Sequence, residues 1–257
     1  MKRQQRHRIT QEVVGWFIEC VVRNGKRQLS YPITYGILSR MIGETFEIAI
    51  QEVPHLNIEQ VTRVLNRLDV PVGTTVIDRY SDMAGFLYAD AGGGIIFIEA
   101  SDPEERRTFS LAHELGHFVN DYYRPVYLKY ENSNTISLFQ EEGTVKPRQV
   151  ISARCTRRDI FGDAEQEILD VKSNNTERLI LDLQRQQKEN YKEIKANFFA
   201  AELLMPMDEC SRIEFESEGA TREELTAGLI RRFGVSRAAA AIRVEELRLG
   251  VVEGGLF

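Results

Sequence analysis

His113-Glu114-Leu115-Gly116-His117 is the stretch of this 257-residue chain that does most to decide its fold. Two histidines four residues apart on a helix lie one turn above each other, so both imidazoles can bind one metal ion. Glu114 lies on the same turn, where a carboxylate can take a proton from an attacking water. The chain holds four histidines, and two of them fall in this motif. Two unrelated histidines on a surface helix are therefore a weak alternative.

The residues before the motif predict a strand followed by the motif helix. The glycines at 92–94 precede the apolar run Ile95–Ile98, and Asp102-Pro103-Glu104-Glu105 is typical of a helix start. Shorter strands are predicted at Val76-Ile77 and Phe86–Tyr88. A strand at 95–98 can line a cleft, and an extended substrate can add to its edge. The alternative for the same strand is a fully paired position in the core.

Composition favours a globular enzyme of a reducing compartment. A net charge of −6 argues against a general nucleic-acid binder, and three widely spaced cysteines do not form a disulfide framework. The apolar run 13–18 follows a basic start and resembles a weak signal peptide. Glu12 and Glu19 interrupt it, so we expect a buried amphipathic helix instead. We expect a cytoplasmic protein without a membrane segment.

A catalytic zinc takes three protein ligands, of which the motif supplies two. The metzincin pattern needs Gly at 120 and His at 123, where this chain has Asn120 and Tyr123, so that class is excluded. No histidine follows His117. The third ligand is therefore a carboxylate, or else Cys155 or Cys210.

Glu193 is the best carboxylate. Asn197 lies four residues later on the same helical face, where its side chain can hold a liganding histidine. Small residues on this helix allow close packing against the motif helix: Ala196, Ala200 and Ala201. Glu189 and Glu202 stay open as alternatives. Tyr122 and Tyr123 are candidates for the donor that stabilises the oxyanion.

Two segments, residues 107–117 (RTFSLAHELGH) and 196–206 (ANFFAAELLMP), resemble the ImmA/IrrE metallopeptidases. The strand 95–98 and the turn Phe233-Gly234-Val235-Ser236 also fit. The resemblance implies a zincin-like α+β fold, one Zn²⁺ per chain, and cleavage of a partner repressor, often a helix-turn-helix protein. It implies that such cleavage switches on mobile-element or stress genes. It also supports His113, His117 and Glu193 as ligands and Glu114 as the base.

The chain departs from the family pattern in two ways. The family separates the motif from the third ligand by a shorter segment, and Lys195 stands where an acidic residue is common. The longer separation predicts an inserted subdomain. The predicted division is a helical N-terminal region (1–74), a first part of the core (75–120), an insertion (121–190), the third-ligand helix (191–215) and a helix-turn-helix-like pair (216–257).

Apolar periodicity and capping residues predict the individual helices. Helices are predicted at 35–50, 163–168, 177–192 and 191–205. Thr34 and Asn57 are predicted N-caps, and Thr221 with Glu224 three residues later predicts a capping box.

Three further hypotheses concern regulation and alternative functions. Arginines flank Cys155, which favours a thiolate that can take the open position of the metal and keep the enzyme latent. The C-terminal helix pair carries Arg231, Arg232, Arg237 and Arg243, but Ala238–Ala241 offers few groups for reading bases. We therefore expect no direct DNA binding. The alternatives to a peptidase are a DNA-binding regulator and a zinc-stabilised regulatory protein without proteolytic turnover.

Overall fold

The computed structural model of the chain describes residues 3–25, 29–69, 82–90, 93–124, 151–156, 176–217 and 219–250, with only the backbone for residues 3–4, 24–25, 90, 151–156 and 176–189. The elements are, in chain order, α1 (Arg3–Gly25), α2 (Tyr35–Thr45), β1 (Ile48–Val53), α3 (Ile58–Arg67), β2 (Met83–Asp90), β3 (Gly93–Glu99), α4 (Glu104–His117), a π-helical segment (Phe118–Tyr123), β4 (Ile151–Thr156), α5 (Thr176–Leu204), α6 (Met207–Glu216), α7 (Arg222–Phe233) and α8 (Arg237–Leu247). The fold is α+β, as the sequence predicts.

The four described strands form one sheet in the order β1-β3-β2-β4. β1 runs parallel to β3, whereas β2 is antiparallel to both β3 and β4. Ile96, Phe97 and Ile98 of β3 are fully buried, as expected for a central strand covered on both faces. β3 has neighbours on both sides, so a substrate strand cannot add to its edge. Of the two interpretations of 95–98, the paired core strand is correct.

Helices cover both faces of the sheet. Leu87, Ile96 and Ile98 pack into the main core with Leu111 and Leu115 of α4. On the other face, a second cluster joins the sheet to α3 and the loop before it; its buried members are Leu56, Val61, Leu65, Met83, Phe86, Tyr88 and Phe97. The motif helix therefore lies directly against the sheet, which fixes its position relative to β2 and β3.

The N-terminal region is not wholly helical, which corrects the prediction. The helix predicted over 35–50 ends at Thr45, and residues 48–53 form β1 instead. The physical reason is tertiary: β1 pairs with β3 from Ile48 to Val53, and this pairing outweighs the local helical pattern. The N-caps predicted at Thr34 and Asn57 are confirmed, since each side chain accepts a hydrogen bond from a backbone N–H three residues later.

The apolar run 13–18 lies within α1, and Val13, Val14 and Phe17 are buried. This confirms the buried helix predicted there. Within the described parts of the chain, no helix has the length and apolar character needed to span a bilayer.

The helices predicted at 177–192 and 191–205 are one continuous helix, α5. The boundary predicted between residues 190 and 191 falls inside it. The capping box of Thr221 and Glu224 is confirmed at the start of α7, and Gly234 ends that helix at a φ of 64°, a conformation that favours glycine. The strand predicted at Val76-Ile77 and the helix predicted at 163–168 lie outside the described residues. The predicted division into domains stays a prediction.

Candidate metal centre

Three side chains from two helices converge on one point. His113 and His117 come from α4 and Glu193 from α5, and one ligand atom of each lies within 4.8 Å of the others. The two Nε2 atoms are 3.0 Å apart. Glu193 places Oε2 3.2 Å from Nε2 of His113 and Oε1 3.3 Å from Nε2 of His117. The structure therefore brings together the three residues that the sequence predicts as ligands.

The hydrogen bonds on the far side of each imidazole determine what these atoms can bind. Nδ1 of His113 donates to Oδ1 of Asn197 at 2.8 Å, and Nδ1 of His117 donates to Oδ2 of Asp121 at 3.4 Å. With the proton held on Nδ1, the Nε2 lone pair of each ring faces the other ring and the carboxylate of Glu193. Three electron-pair donors thus converge, as a tetrahedral Zn²⁺ site requires. The residues fit a bound cation.

Electrostatics of the cluster agree with this geometry. Burial lowers the pKa of His113, against the opposing hydrogen bond to Glu193. Burial also acts to lower the pKa of His117, but hydrogen bonds to Asp121 and Glu193 outweigh it and raise this pKa to about 10. Burial acts to raise the pKa of Glu193, and hydrogen bonds from the two histidines overcome it and lower the value to about 2. Without a metal, the cluster therefore pairs an ionised Glu193 with a protonated His117, and a bound cation would replace the proton on Nε2 of that ring.

Close packing of α4 against α5 makes the convergence geometrically feasible. A methyl group at Gly116 would lie 3.1 Å from both Cα and the carbonyl oxygen of Ala196, and 3.2 Å from Cβ of Phe199. The small side chain predicted to matter at 196 is indeed at this contact. The partner glycine on α4 lies inside the motif itself and was not recognised from the sequence as a packing residue.

Glu114 lies against strand β2. Its side chain is fully buried, and a methyl group on Gly85 would lie only 2.5 Å from its Oε1 and 2.9 Å from its Cγ. Only a glycine at this point of β2 leaves room for the carboxylate beside the metal ligands. Sequence reasoning missed Gly85, because an isolated glycine in a strand pattern indicates a close approach without naming the partner.

The alternative ligands lie elsewhere or outside the described side chains. Glu202 is bound to Arg243 and accepts a hydrogen bond from the backbone N–H of Met207 at 3.2 Å. Cys210 is buried and donates to the carbonyl of Met205 at 3.6 Å. The side chains of Glu189 and Cys155 are outside the described residues, so the thiolate hypothesis for Cys155 stays a prediction.

The two tyrosines considered as oxyanion donors lie in an aromatic cluster. The ring centroid of Tyr123 is 4.8 Å from that of Phe46 and 5.7 Å from that of Trp16. Tyr122 is buried and its ring packs against Phe118 at 5.5 Å. These contacts give both rings a packing role between α1, α2 and the π-helical segment.

Two acidic residues that support the site were missed. Asp121 lies four residues after His117, the same spacing that separates Asn197 from Glu193, and this spacing is the signal that predicts it. Glu99 ends β3 and is 2% exposed. Its carboxylate accepts hydrogen bonds from the backbone N–H groups of His55 (3.0 Å), Leu56 (2.7 Å) and Ser101 (2.8 Å). It thereby ties the end of β3 to the loop before α3 and to the loop before α4.

The site consists of two histidines one turn apart on a helix, a carboxylate from a second helix and a sheet beside the motif glutamate. This arrangement is typical of metallopeptidases. The comparison with family models agrees. The model described as the IrrE N-terminal-like domain, Peptidase_M78, matches residues 64–142 and 171–245. The chain belongs to this family of peptidases, and the predicted family is confirmed. No curated protein matches the chain.

Proposed function

We propose that the chain is a zinc-dependent endopeptidase in which His113, His117 and Glu193 bind the metal and Glu114 is the general base. The observation that carries this proposal is the orientation of the ligands. Both Nδ1 atoms donate outward to Asn197 and Asp121, which leaves both Nε2 atoms facing Glu193. This arrangement serves a cation, because three buried groups with electron pairs facing one another need a positive charge between them, which a bound metal ion supplies.

Zinc bound there would polarise the scissile carbonyl and lower the pKa of the attacking water to about 7. Glu114 accepts the proton of that water and then passes it to the leaving amine. Its position against Gly85 holds the carboxylate between β2 and the ligands. Asn197 and Asp121 orient the two imidazoles and keep the proton on the outer nitrogen of each ring.

The substrate we propose is one partner protein, a transcriptional repressor with a helix-turn-helix fold, cut to release mobile-element or stress genes. Two observations support this substrate. The matching family model is described as the IrrE N-terminal-like domain, and residues 107–117 and 196–206 resemble the ImmA/IrrE peptidases. Cleavage would take place in the cytoplasm, in keeping with the free thiols of Cys20 and Cys210.

The DNA-binding alternative loses support at the C-terminal helix pair. Arg243 is 1% exposed, where it pairs with Glu202 and Glu246 and donates to the carbonyl of Met205. Arg232 pairs with Glu209 at 3.2 Å, and the exposed Arg237 pairs with Glu223 at 2.6 Å. These pairs engage three of the four arginines that suggested phosphate contacts, and they fit a pair of helices packed on the peptidase.

The test compares protein termini produced by matched variants. Lysate of the source cells is incubated with the wild-type chain, with Glu114→Gln and with Glu105→Gln, an exposed glutamate on the same helix. New N-termini are then labelled and identified. We expect the wild type and Glu105→Gln to cut the same protein, and Glu114→Gln to cut nothing while retaining zinc. Cleavage by Glu114→Gln would remove this residue from its role.

A further inference from the structure

Strand β4 occupies the side of β2 that faces away from β3. Its register with β2 runs antiparallel from Ala89 opposite Ile151 to Met83 opposite Thr156, and Gly85 lies opposite Cys155. Gly85 is also the residue against which the carboxylate of Glu114 packs. Helix α4 contacts β4 as well as β2 and β3. β4 therefore crosses the sheet edge at the level of the proposed catalytic base.

The spacing of strands indicates where a substrate has to bind. A scissile carbonyl has to come within hydrogen-bonding distance of a water held by Glu114, which lies against β2. A strand paired with β2 lies about 4.8 Å from it, whereas a strand added outside β4 would lie about 10 Å from β2. Only the inner position is near enough. In the described sheet, β4 holds that position.

β4 lies outside the part of the chain that the family model matches. The family match runs to residue 142 and resumes at residue 171, so it leaves out 143–170, and Ile151–Thr156 falls inside this gap. The strand that closes the edge of β2 thus lies in the segment that the family model does not match.

We propose that β4 is an internal pseudosubstrate: it pairs with β2 where an extended polypeptide substrate would bind, and the site opens when β4 leaves. This inference rests on the proposed peptidase function. It states how the proposed active site is inhibited and that the site binds its substrate as an extended strand. Main-chain pairing is the recognition element, so one polypeptide strand can replace another with little regard to sequence.

A tethered strand competes at an effective concentration on the order of 1 mM. Suppose that β4 and a free peptide each bind the open edge with an intrinsic Kd of about 0.1 mM. Competition from the tethered β4 then raises the apparent Kd of the peptide about tenfold. Displacement of β4 then needs a large excess of the partner, or a partner that also binds the segment around β4. This would keep a protease inactive toward proteins other than its partner.

The experiment measures peptide binding without catalysis, in the Glu114→Gln background. The probe is a fluorescein-labelled peptide with the sequence of residues 149–158 and serine in place of Cys155, which prevents thiolate binding to the metal. The opened protein carries Gly-Ser repeats in place of Ile151–Thr156. A matched control carries the same repeats at residues 143–148, also in the family gap. Ala153→Pro, which disrupts strand pairing by a smaller change, repeats the test if the six-residue replacement does not fold.

We expect the opened protein to bind the peptide at least tenfold more tightly than the parent and the control do, as measured by fluorescence anisotropy. Equal binding by all three proteins, or weaker binding by the opened one, would overturn the proposal, since the second result would make β4 part of the substrate site. A parallel assay restores Glu114 and follows hydrolysis of labelled casein. Tighter peptide binding without any hydrolysis would uphold the strand inference and count against the peptidase function.

Discussion

Gly85→Ala tests whether the position of Glu114 decides the rate. The added methyl group would lie 2.5 Å from Oε1 of Glu114, whereas ordinary contact begins near 3.4 Å, so the carboxylate must move by about 0.9 Å. A misplacement of about 1 Å in a catalytic group costs on the order of 10²-fold in rate. His113, His117 and Glu193 do not contact this methyl group at its closest approaches, so the zinc content should not change.

The assay is kcat on the substrate that terminal labelling identifies, together with zinc per chain by atomic spectroscopy. We expect kcat to fall about 100-fold in Gly85→Ala, with one zinc retained. Gly43→Ala is the matched control, because Gly43 is an exposed glycine of α2 with no atom within 4 Å of an added methyl group. An unchanged kcat in Gly85→Ala would refute the argument that β2 positions Glu114. Loss of zinc would refute the claim that a methyl group at Gly85 moves Glu114 without disturbing the metal ligands.

Three further outcomes follow from the contacts around the site. Asn197→Ala should weaken zinc binding about 10- to 100-fold in a chelator competition, because the His113 imidazole loses the acceptor that orients it; unchanged affinity would contradict this. Arg243→Met should lower the free energy of unfolding in urea by about 3–5 kcal/mol, because Glu202 is left buried without its cation, whereas the exposed Arg237→Met should change it little. Glu99→Gln should lower the free energy of unfolding by about 1–3 kcal/mol at pH 7. Burial acts to raise the pKa of Glu99, but its backbone hydrogen bonds lower it below 4.5, so its contribution is present above pH 4.5 and is lost as pH falls further. The gap between the two proteins should therefore close in acid, and a gap constant down to pH 3 would contradict this.

The sequence predicted which three side chains would converge, because groups that can bind one metal ion leave a local pattern. His113 and His117 are spaced by one helical turn, and Glu193 with Asn197 repeats that spacing on a second helix. Helix caps at Thr34, Asn57 and Thr221 were predictable for the same reason: each is a contact over three residues. Local spacing is visible in a sequence without knowledge of the fold.

What the sequence did not predict depends on contacts between distant segments. β1 was assigned to a helix because its sheet partner lies in β3, some distance along the chain. Gly85 and Glu114 meet only because α4 packs on the sheet, and Glu99 reaches back to the loop at His55. The strand predicted to receive a substrate, β3, turned out to be central, because strand order is set by tertiary pairing rather than by the composition of any one strand.

The most direct test of the account is the zinc content of Glu193→Ala, measured beside the wild type and Glu189→Ala at matched folding. Glu189 is the closest alternative carboxylate in sequence and serves as the control. The account predicts about one zinc per chain in the wild type and in Glu189→Ala, and little in Glu193→Ala. Full zinc in Glu193→Ala would show that the carboxylate facing the two histidines is not a ligand, and would contradict the proposed metal centre.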